Sequence, residues 1–192
     1  MRYFPMFVDL SGKECLVLGT TGEARRKAGV LRAAGANVRA EAVLDSLPPA
    51  RLCGFALAVV ATGDEAEDAA AAATLSAQRV PVNVVDRPAL CTFIWPAIVD
   101  RDPVTIAIST GGTSPLLAKL LRLRIERAVP AAFGVLAALA GSVRQLVRQR
   151  LPDGSRRRRF WHDVLTGPVS RLVIAGQPHR ARALLYRELL RR

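Results

Sequence analysis

The first half of the chain alternates short apolar runs with stretches whose apolar residues recur at helical spacing. The apolar runs are bounded by turn residues and predict strands at 14–18, 37–43, 55–61, 80–85 and 104–108. The periodic stretches predict helices at 23–34 and 65–78. Strands that alternate with helices and are mostly apolar favour a parallel sheet with helices on both faces. The pattern therefore predicts an α/β fold with a doubly wound parallel sheet.

The helix at 23–34 also carries a prediction about the direction of its side chains. Its inner face is predicted to consist of Ala24, Ala28, Val30 and Leu31, and its solvated face of Arg25, Arg26, Lys27 and Arg32. Gly35 follows as a natural C-terminal cap.

The chain beyond Pro115 has a different pattern, which predicts helices alone. They are expected at 116–127, 131–150, 159–165 and 180–190. Phe160 and Trp161, which follow a run of arginines, are predicted to anchor one of these helices in a core. The boundary between the sheet and the helical part is predicted near Ser109.

Charge narrows the classes of partner. The 192-residue chain has a formal net charge of +12, which suggests nucleic acid, an anionic membrane surface or a multiply anionic ligand. Only 5% of its residues are aromatic, which argues against nucleic acid. The longest uncharged run, 128–143, contains Pro130 and is shorter than the ~20 residues of a membrane span. We expect a cytoplasmic protein with no nucleic-acid or membrane partner, and a homodimer, because this run is too apolar to face water.

Two loops are candidate ligand sites. The turn Gly19-Thr20-Thr21-Gly22-Glu23-Ala24 follows the first strand and opens a helix, as a dinucleotide-binding turn does, and Glu41 lies where an acid can bind a ribose hydroxyl. An ordinary strand–helix turn is the alternative. The loop 109–115 leads into a helix, whose N-terminal amides, with the hydroxyls of Thr110 and Thr113, could accept an anion. A purely structural loop is the alternative there.

Asp86 ends a predicted apolar strand. A carboxylate in this place could act as a general base, or hold a metal or a protonated pyrrole nitrogen. A capping or turn aspartate is the alternative. The cysteines and histidines have no metal-ligand spacing, so no metal site is predicted.

Several longer motifs resemble the siroheme-synthase family, in its precorrin-2 dehydrogenase and sirohydrochlorin ferrochelatase module. They are the opening 3–10, the helix motif Arg26-Lys27-Ala28, the segments 83–86 and 91–101, the loop 109–115 and the late run 157–161. The resemblance covers nearly the whole chain. It implies a Rossmann-like NAD(P)-binding domain over 1–109, a dimerisation segment over 110–143 and a small all-helical domain over 144–192.

The resemblance also implies an activity. Its members oxidise precorrin-2 to sirohydrochlorin with NAD, and many insert ferrous iron as a second step. The family's essential aspartate falls at Asp86. NAD-binding positions fall at Gly19, Gly22, Glu23, Ala24, Glu41, Val43 and Leu44, and substrate-binding positions at Asn83, Thr110, Gly111, Gly112, Thr113 and Ser114. The substrate is an anionic tetrapyrrole, which arginine side chains can pair with.

Two departures from the family pattern concern the cofactor. Thr20 and Thr21 stand where the family usually has glycines, and the segment 44–54 is roughly twenty residues shorter than its counterpart. Because both flank the expected NAD site, the alternative function is a tetrapyrrole-binding protein or chelatase that has lost NAD-dependent dehydrogenase activity.

Overall fold

The structure is a computed structural model that describes residues 3–191. The chain forms two compact units. The first runs to Trp95 and includes Ser109–Ser114, while the second consists of Pro96–Ile108 and the chain from Pro115 onward.

A parallel four-stranded sheet is the centre of the first unit. Its strands are β1 (Glu14–Leu18), β2 (Asn37–Glu41), β3 (Leu57–Val60) and β4 (Val82–Val84), in the order β2-β1-β3-β4. The helices of this unit are α1 (Gly22–Ala33), α2 (Pro49–Leu52) and α3 (Glu65–Ala77), with a short 3₁₀ turn at Leu44–Ser46 and another at Pro88–Leu90. One face of the sheet packs on α3 through Leu75, and the other packs on α1 through Leu31. The predicted parallel sheet with helices on both faces is confirmed.

The predicted orientation of α1 is wrong at one position. Ala24, Ala28 and Leu31 are buried as expected and Val30 is half-buried, but Lys27 is buried too, at 5% exposure. Residues three and four apart share a helix face, so position 27 lies on the same face as 24, 28 and 31 whatever residue occupies it. The prediction sorted side chains by polarity, whereas the helix places them by position.

The strand predicted at 104–108 exists but does not join the parallel sheet. It is β6 (Val104–Ile108), which pairs antiparallel with β5 (Ala97–Arg101) in the second unit. A parallel partner needs a crossover of a dozen or more residues, whereas the two strands of an antiparallel hairpin can be joined by two. Only Asp102 and Pro103 separate β5 from β6.

Helices make up the rest of the second unit: α4 (Pro115–Ala128), α5 (Ala132–Arg150), α6 (Gly154–Thr166), α7 (Pro168–Ile174) and α8 (Pro178–Leu190). α7 was not predicted. α6 begins five residues earlier than expected, because Asp153 caps it by accepting a hydrogen bond from the Arg156 amide. Phe160 is fully buried among these helices, as predicted. Within the described residues no single helix is long and apolar enough to cross a membrane; α4 and α5 meet that criterion only together, with a bend of 63° between them.

Candidate functional site

The candidate site lies at the carboxyl ends of the parallel strands in the first unit. From β1 the chain continues to β2 on one side, and β3 then lies on the other side of β1. The carboxyl ends of β1 and β3 therefore flank the point where the winding reverses, which is where open α/β sheets bind ligands. The turn after β1 and the backbone after β3 meet there so closely that a Cβ on Gly19 would lie 2.0 Å from the Ala61 carbonyl oxygen.

The turn after β1 needs glycine at position 19 and not at position 21. Gly19 has φ of 106° and donates its N–H to the Glu41 carbonyl at 2.8 Å. Thr21 has an ordinary extended conformation, with φ of −67°. Its hydroxyl accepts from the Ala24 amide at 3.1 Å and donates to the Ala61 carbonyl at 3.0 Å. Thr21 is thus the N-cap of α1, and it occupies one of the amides that a phosphate would use.

The remaining predicted positions in this turn differ in what they offer. Gly22 begins α1 beside open space, since a Cβ there would meet no atom within 4 Å. Ala24 is buried, and its amide is the one bonded to Thr21. Glu23 is exposed and paired with Arg26 at 2.7 Å. The hydrogen bond from Arg26 lowers the pKa of the Glu23 carboxyl.

Glu41 ends β2 next to this turn, as a ribose-binding acid should. Its carboxylate accepts from Arg39 Nε at 2.8 Å and from Ser46 Oγ at 3.3 Å, and these bonds orient it. Val43 is 41% exposed, while Leu44 packs against the core under the sheet. A glycine turn, an open helix start and an oriented acid fit a dinucleotide, with one helix amide fewer available than a glycine-rich turn would give.

Asp86 lies in the turn after β4 with a backbone conformation that residues other than glycine rarely adopt, φ of 60°. The thiol of Cys91 ties the two sides of this turn together: it accepts from the Val84 amide at 3.2 Å and lies 3.3 Å from the Val84 carbonyl and 3.4 Å from the Arg87 carbonyl. A strained residue held by its surroundings at the end of a sheet strand is typical of functional sites.

Arg87, which follows Asp86, is fixed on the other side of the turn. Its guanidinium lies 2.7 Å from the Glu65 carboxylate and 3.6 Å from that of Asp68. Asp68 is itself buried and accepts from the Thr62 amide and hydroxyl. The Asp86 turn is therefore anchored by the thiol on one side and by α3 on the other.

Asn83 was predicted to bind substrate, but both ends of its side chain are engaged within the protein. It is 5% exposed. Its Nδ2 donates to the Phe93 carbonyl at 3.2 Å and to Cys91 Sγ at 3.5 Å, and its Oδ1 accepts from Lys27 Nζ at 3.3 Å. These bonds favour a role in positioning the turn rather than in touching a ligand.

Sequence reasoning missed Lys27, which brings a buried positive charge to this site. Its Nζ also lies 4.2 Å from the centre of the Trp95 ring. The signal in the sequence was its position three residues after Ala24 and four before Leu31, on the inner face of α1.

The loop 109–114 belongs to the same unit and lies beside the Asp86 turn, since a Cβ on Gly112 would be 3.6 Å from Pro88. Gly111 and Gly112 both have positive φ. The predicted hydroxyl donors are engaged within the loop: Thr110 Oγ1 accepts from the Ser114 amide at 3.2 Å, and Thr113 Oγ1 donates to the Thr110 carbonyl at 2.6 Å. An anion would have to displace these bonds, or use the exposed glycine backbone instead.

Among the described residues no group of three or more His, Cys, Asp or Glu side chains is placed to hold a metal ion. The site therefore consists of a nucleotide-type turn, a strained carboxylate, a buried lysine behind it and a glycine-containing loop.

Family models match successive parts of the chain. The model described as "Putative NAD(P)-binding" matches residues 6–97, "Sirohaem biosynthesis protein central" matches 101–128, and "Sirohaem synthase dimerisation region" matches 132–189. The NAD(P)-binding match includes Asp86 and the turn after β1 (19–24), called the switch-point turn below because it lies where the winding of the sheet reverses.

The chain is also similar to full-length relatives. A siroheme synthase from Methylococcus capsulatus is 43% identical over 203 residues, which take in 96% of this chain and 43% of the relative. One from Ectopseudomonas mendocina is 42% identical over 205 residues, with 98% and 44% covered. The chain thus spans less than half the length of these relatives. Because 203 aligned positions exceed the 192 residues of the chain, the first relative contains residues that this chain lacks.

Among solved structures, the chain is similar to "SirC, precorrin-2 dehydrogenase", with a TM-score of 0.67 and 19% identity. The match covers 96% of this chain and 100% of that one. At this identity the similarity establishes the fold, a Rossmann-like sheet domain followed by a helical region.

Proposed function

We propose, since the chain belongs to the siroheme synthase family, that it oxidises precorrin-2 to sirohydrochlorin with NAD. The observation that carries the proposal is Asp86, a carboxylate held at positive φ at the carboxyl end of β4, in the same unit as the switch-point turn. In this oxidation the substrate loses a hydride and a proton. NAD, when bound, supplies the hydride acceptor.

The residues of the chain have separate roles in this proposal. The Asp86 carboxylate accepts the proton, as a positioned general base. Gly19, Gly22 and the start of α1 hold the pyrophosphate, and Glu41 accepts hydrogen bonds from the ribose. An acid at that position favours NAD over its 2′-phosphorylated form, because the phosphate would meet a carboxylate. The glycines of the 109–114 loop give the tetrapyrrole close access to backbone donors.

The test is to incubate the purified chain with precorrin-2 and NAD without oxygen, and to follow NADH and sirohydrochlorin by absorbance. Formation of both in equal amounts supports the proposal. Asp86→Asn, which keeps the size of the side chain and removes its basicity, should abolish the reaction. Absence of NADH with the unmodified chain would overturn it.

A second function is favoured by Thr21, whose hydroxyl already occupies the Ala24 amide of the cofactor turn. In this alternative the chain binds the tetrapyrrole, or inserts ferrous iron into sirohydrochlorin, without oxidising precorrin-2. Iron insertion releases two pyrrole protons, which the exposed Asp86 carboxylate could accept one after the other and pass to solvent. Binding of sirohydrochlorin, or formation of siroheme with added ferrous iron, by a chain that forms no NADH would distinguish this function from the first.

We further propose a homodimer in the cytoplasm. The dimerisation-region match from residue 132 to 189 and the exposed apolar side chains of Phe133 and Val135 on α5 support the dimer. The division into a cofactor domain at 1–109, a dimerisation segment at 110–143 and a helical domain at 144–192 is part of this proposal. The extent of the dimerisation-region match favours contacts that continue beyond 143.

A further inference from the structure

Lys27 has surroundings that a lysine seldom occupies. Of the described groups near Nζ, Asn83 Oδ1 lies at 3.3 Å and the Trp95 ring centre at 4.2 Å, and the residue is 5% exposed. Lysines are almost never this deeply buried unless they are paired. The amide oxygen and the ring face together provide a neutral pocket for the ammonium, and no carboxylate among residues 3–191 forms a salt bridge with it.

The hydrogen bonds of this pocket lead directly to the Asp86 turn. Asn83, which accepts from Lys27, donates to Cys91 Sγ at 3.5 Å. The same sulfur bonds Val84 and Arg87, the residues on either side of the Val85-Asp86 pair. Two side chains, those of Asn83 and Cys91, thus connect the lysine to the backbone on either side of Val85 and Asp86.

The electrostatic surroundings agree with this geometry. Burial lowers the pKa of Lys27 to about 8, and the neighbouring Arg26 acts in the same direction. Glu23 on the same helix, Cys91 and the Asp86 carboxylate oppose the shift. Burial therefore destabilises the charged form of Lys27, and Asp86 and Cys91, at the turn after β4, partly stabilise it.

We propose that Lys27 is a positioning residue for Asp86, which acts from beneath the turn by fixing Asn83 and Cys91 and by attracting the Asp86 carboxylate. The proposal rests on the proposed function, in which Asp86 accepts the proton. It goes beyond that function by assigning a role to a buried residue of the first helix.

The direct test follows the carbonyl and Cα signals of Asp86 by carbon-detected NMR, across the pH window around the Lys27 pKa of about 8. We expect these signals to shift with that midpoint in the unmodified chain. The shift should be absent in Lys27→Met, which keeps the apolar stem, and displaced out of the window in Lys27→Arg. The control is Arg32→Met, which removes an exposed charge from the same helix and should leave the pH dependence of the Asp86 signals unchanged.

Asp86 signals that stay constant in the unmodified chain, or that still shift near pH 8 in Lys27→Met, would overturn the proposal. This measurement needs no turnover. A chain that forms no NADH therefore refutes the proposed function, while the NMR result still decides the role of Lys27. If Lys27→Met does not fold, the comparison of the unmodified chain with Lys27→Arg decides in the same way.

Turnover provides the second measurement. In Lys27→Met we expect kcat for precorrin-2 oxidation to fall about tenfold or more, as misplaced catalytic groups do, with KM for NAD unchanged. Lys27→Arg should recover part of kcat and lose any change in rate around pH 8. Unchanged kcat in a folded Lys27→Met, with the unmodified chain active, would contradict the role.

Discussion

Asp86 and Arg79 are the residues other than glycine that the described chain holds at positive φ, both at 60°. At Arg79 the end of α3 explains the positive φ. The Arg79 amide donates to the Ser76 carbonyl and the Val80 amide to the Leu75 carbonyl, as at helices that end with a residue in the left-handed conformation. Asp86 ends no helix. A helix end therefore does not explain its conformation, and we attribute the strain to the role proposed for its carboxylate.

This contrast gives the first prediction. Asp86→Gly and Arg79→Gly both replace a side chain in a left-handed conformation by glycine, which adopts it without strain. In urea denaturation each variant should have a free energy of unfolding equal to that of the unmodified chain or higher by up to ~1 kcal/mol. Only Asp86→Gly should abolish precorrin-2 oxidation. If Asp86→Gly kept the turnover of the unmodified chain, the carboxylate would have no role in the chemistry.

The second prediction concerns the stability cost of Lys27. Its folded-state pKa of about 8 lies below the ordinary lysine value of 10.5, so between these values the unfolded chain binds more protons. Stability should therefore rise with pH across that window, and the full penalty is present below it. Removing the buried charge in Lys27→Met should raise the free energy of unfolding near neutral pH by up to ~3 kcal/mol.

Urea denaturation at several pH values measures this. The rise in the free energy of unfolding between pH 8 and 10.5 should be absent in Lys27→Met and present in Arg32→Met. A loss of stability at neutral pH in Lys27→Met would show that the cation stabilises the fold, and would assign Lys27 a structural role.

At the scale of elements, the sequence predicts well where local signals and burial agree. β1 is found at Glu14–Leu18 as expected, and α1 and α3 begin and end within one residue of prediction. It predicts poorly where the partner decides. The sequence of Val104–Ile108 predicts a strand but not the sheet to which it belongs. Its pairing partner, Ala97–Arg101, determines that it is antiparallel. The loop 109–114 likewise has an anion-binding composition, but its hydroxyls bond within the loop.

Thr21 links an element boundary to the cofactor, and it gives the third prediction. Thr21→Gly frees the Ala24 amide, so the dissociation constant for NAD measured by calorimetry should fall, while loss of the cap costs a few tenths of a kcal/mol of stability. Thr21→Ser is the matched control, because it keeps the hydroxyl and removes the methyl group. Tighter NAD binding in Thr21→Ser would show that the methyl group, and not the occupied amide, weakens binding. Unchanged binding in Thr21→Gly would show that the turn does not limit binding and would point to the short 44–54 segment instead.

At the scale of the whole molecule, the net charge of +12 is what a protein that binds a multiply anionic substrate would have. Most of the apolar run 128–143 lies in α5, and its side chains differ in burial. Leu136 and Val143 are buried in the helical core, whereas Phe133 and Val135 are 38% and 46% exposed. Sequence alone could show that this run was too apolar for water, but not which of its side chains the chain's own helices would cover.

The exposed pair gives the last prediction. Because Phe133 and Val135 begin the segment matched by the dimerisation-region model, replacing both with arginine should place like charges against each other in a homodimer and shift it toward monomer. Light scattering at micromolar concentration measures the change. Leu190→Arg is the control: Leu190 is 65% exposed and lies just beyond the matched segment, so it should leave the dimer intact. A double variant that remains dimeric would exclude Phe133 and Val135 from the dimer contact, and an unmodified chain that is monomeric would exclude the dimer itself.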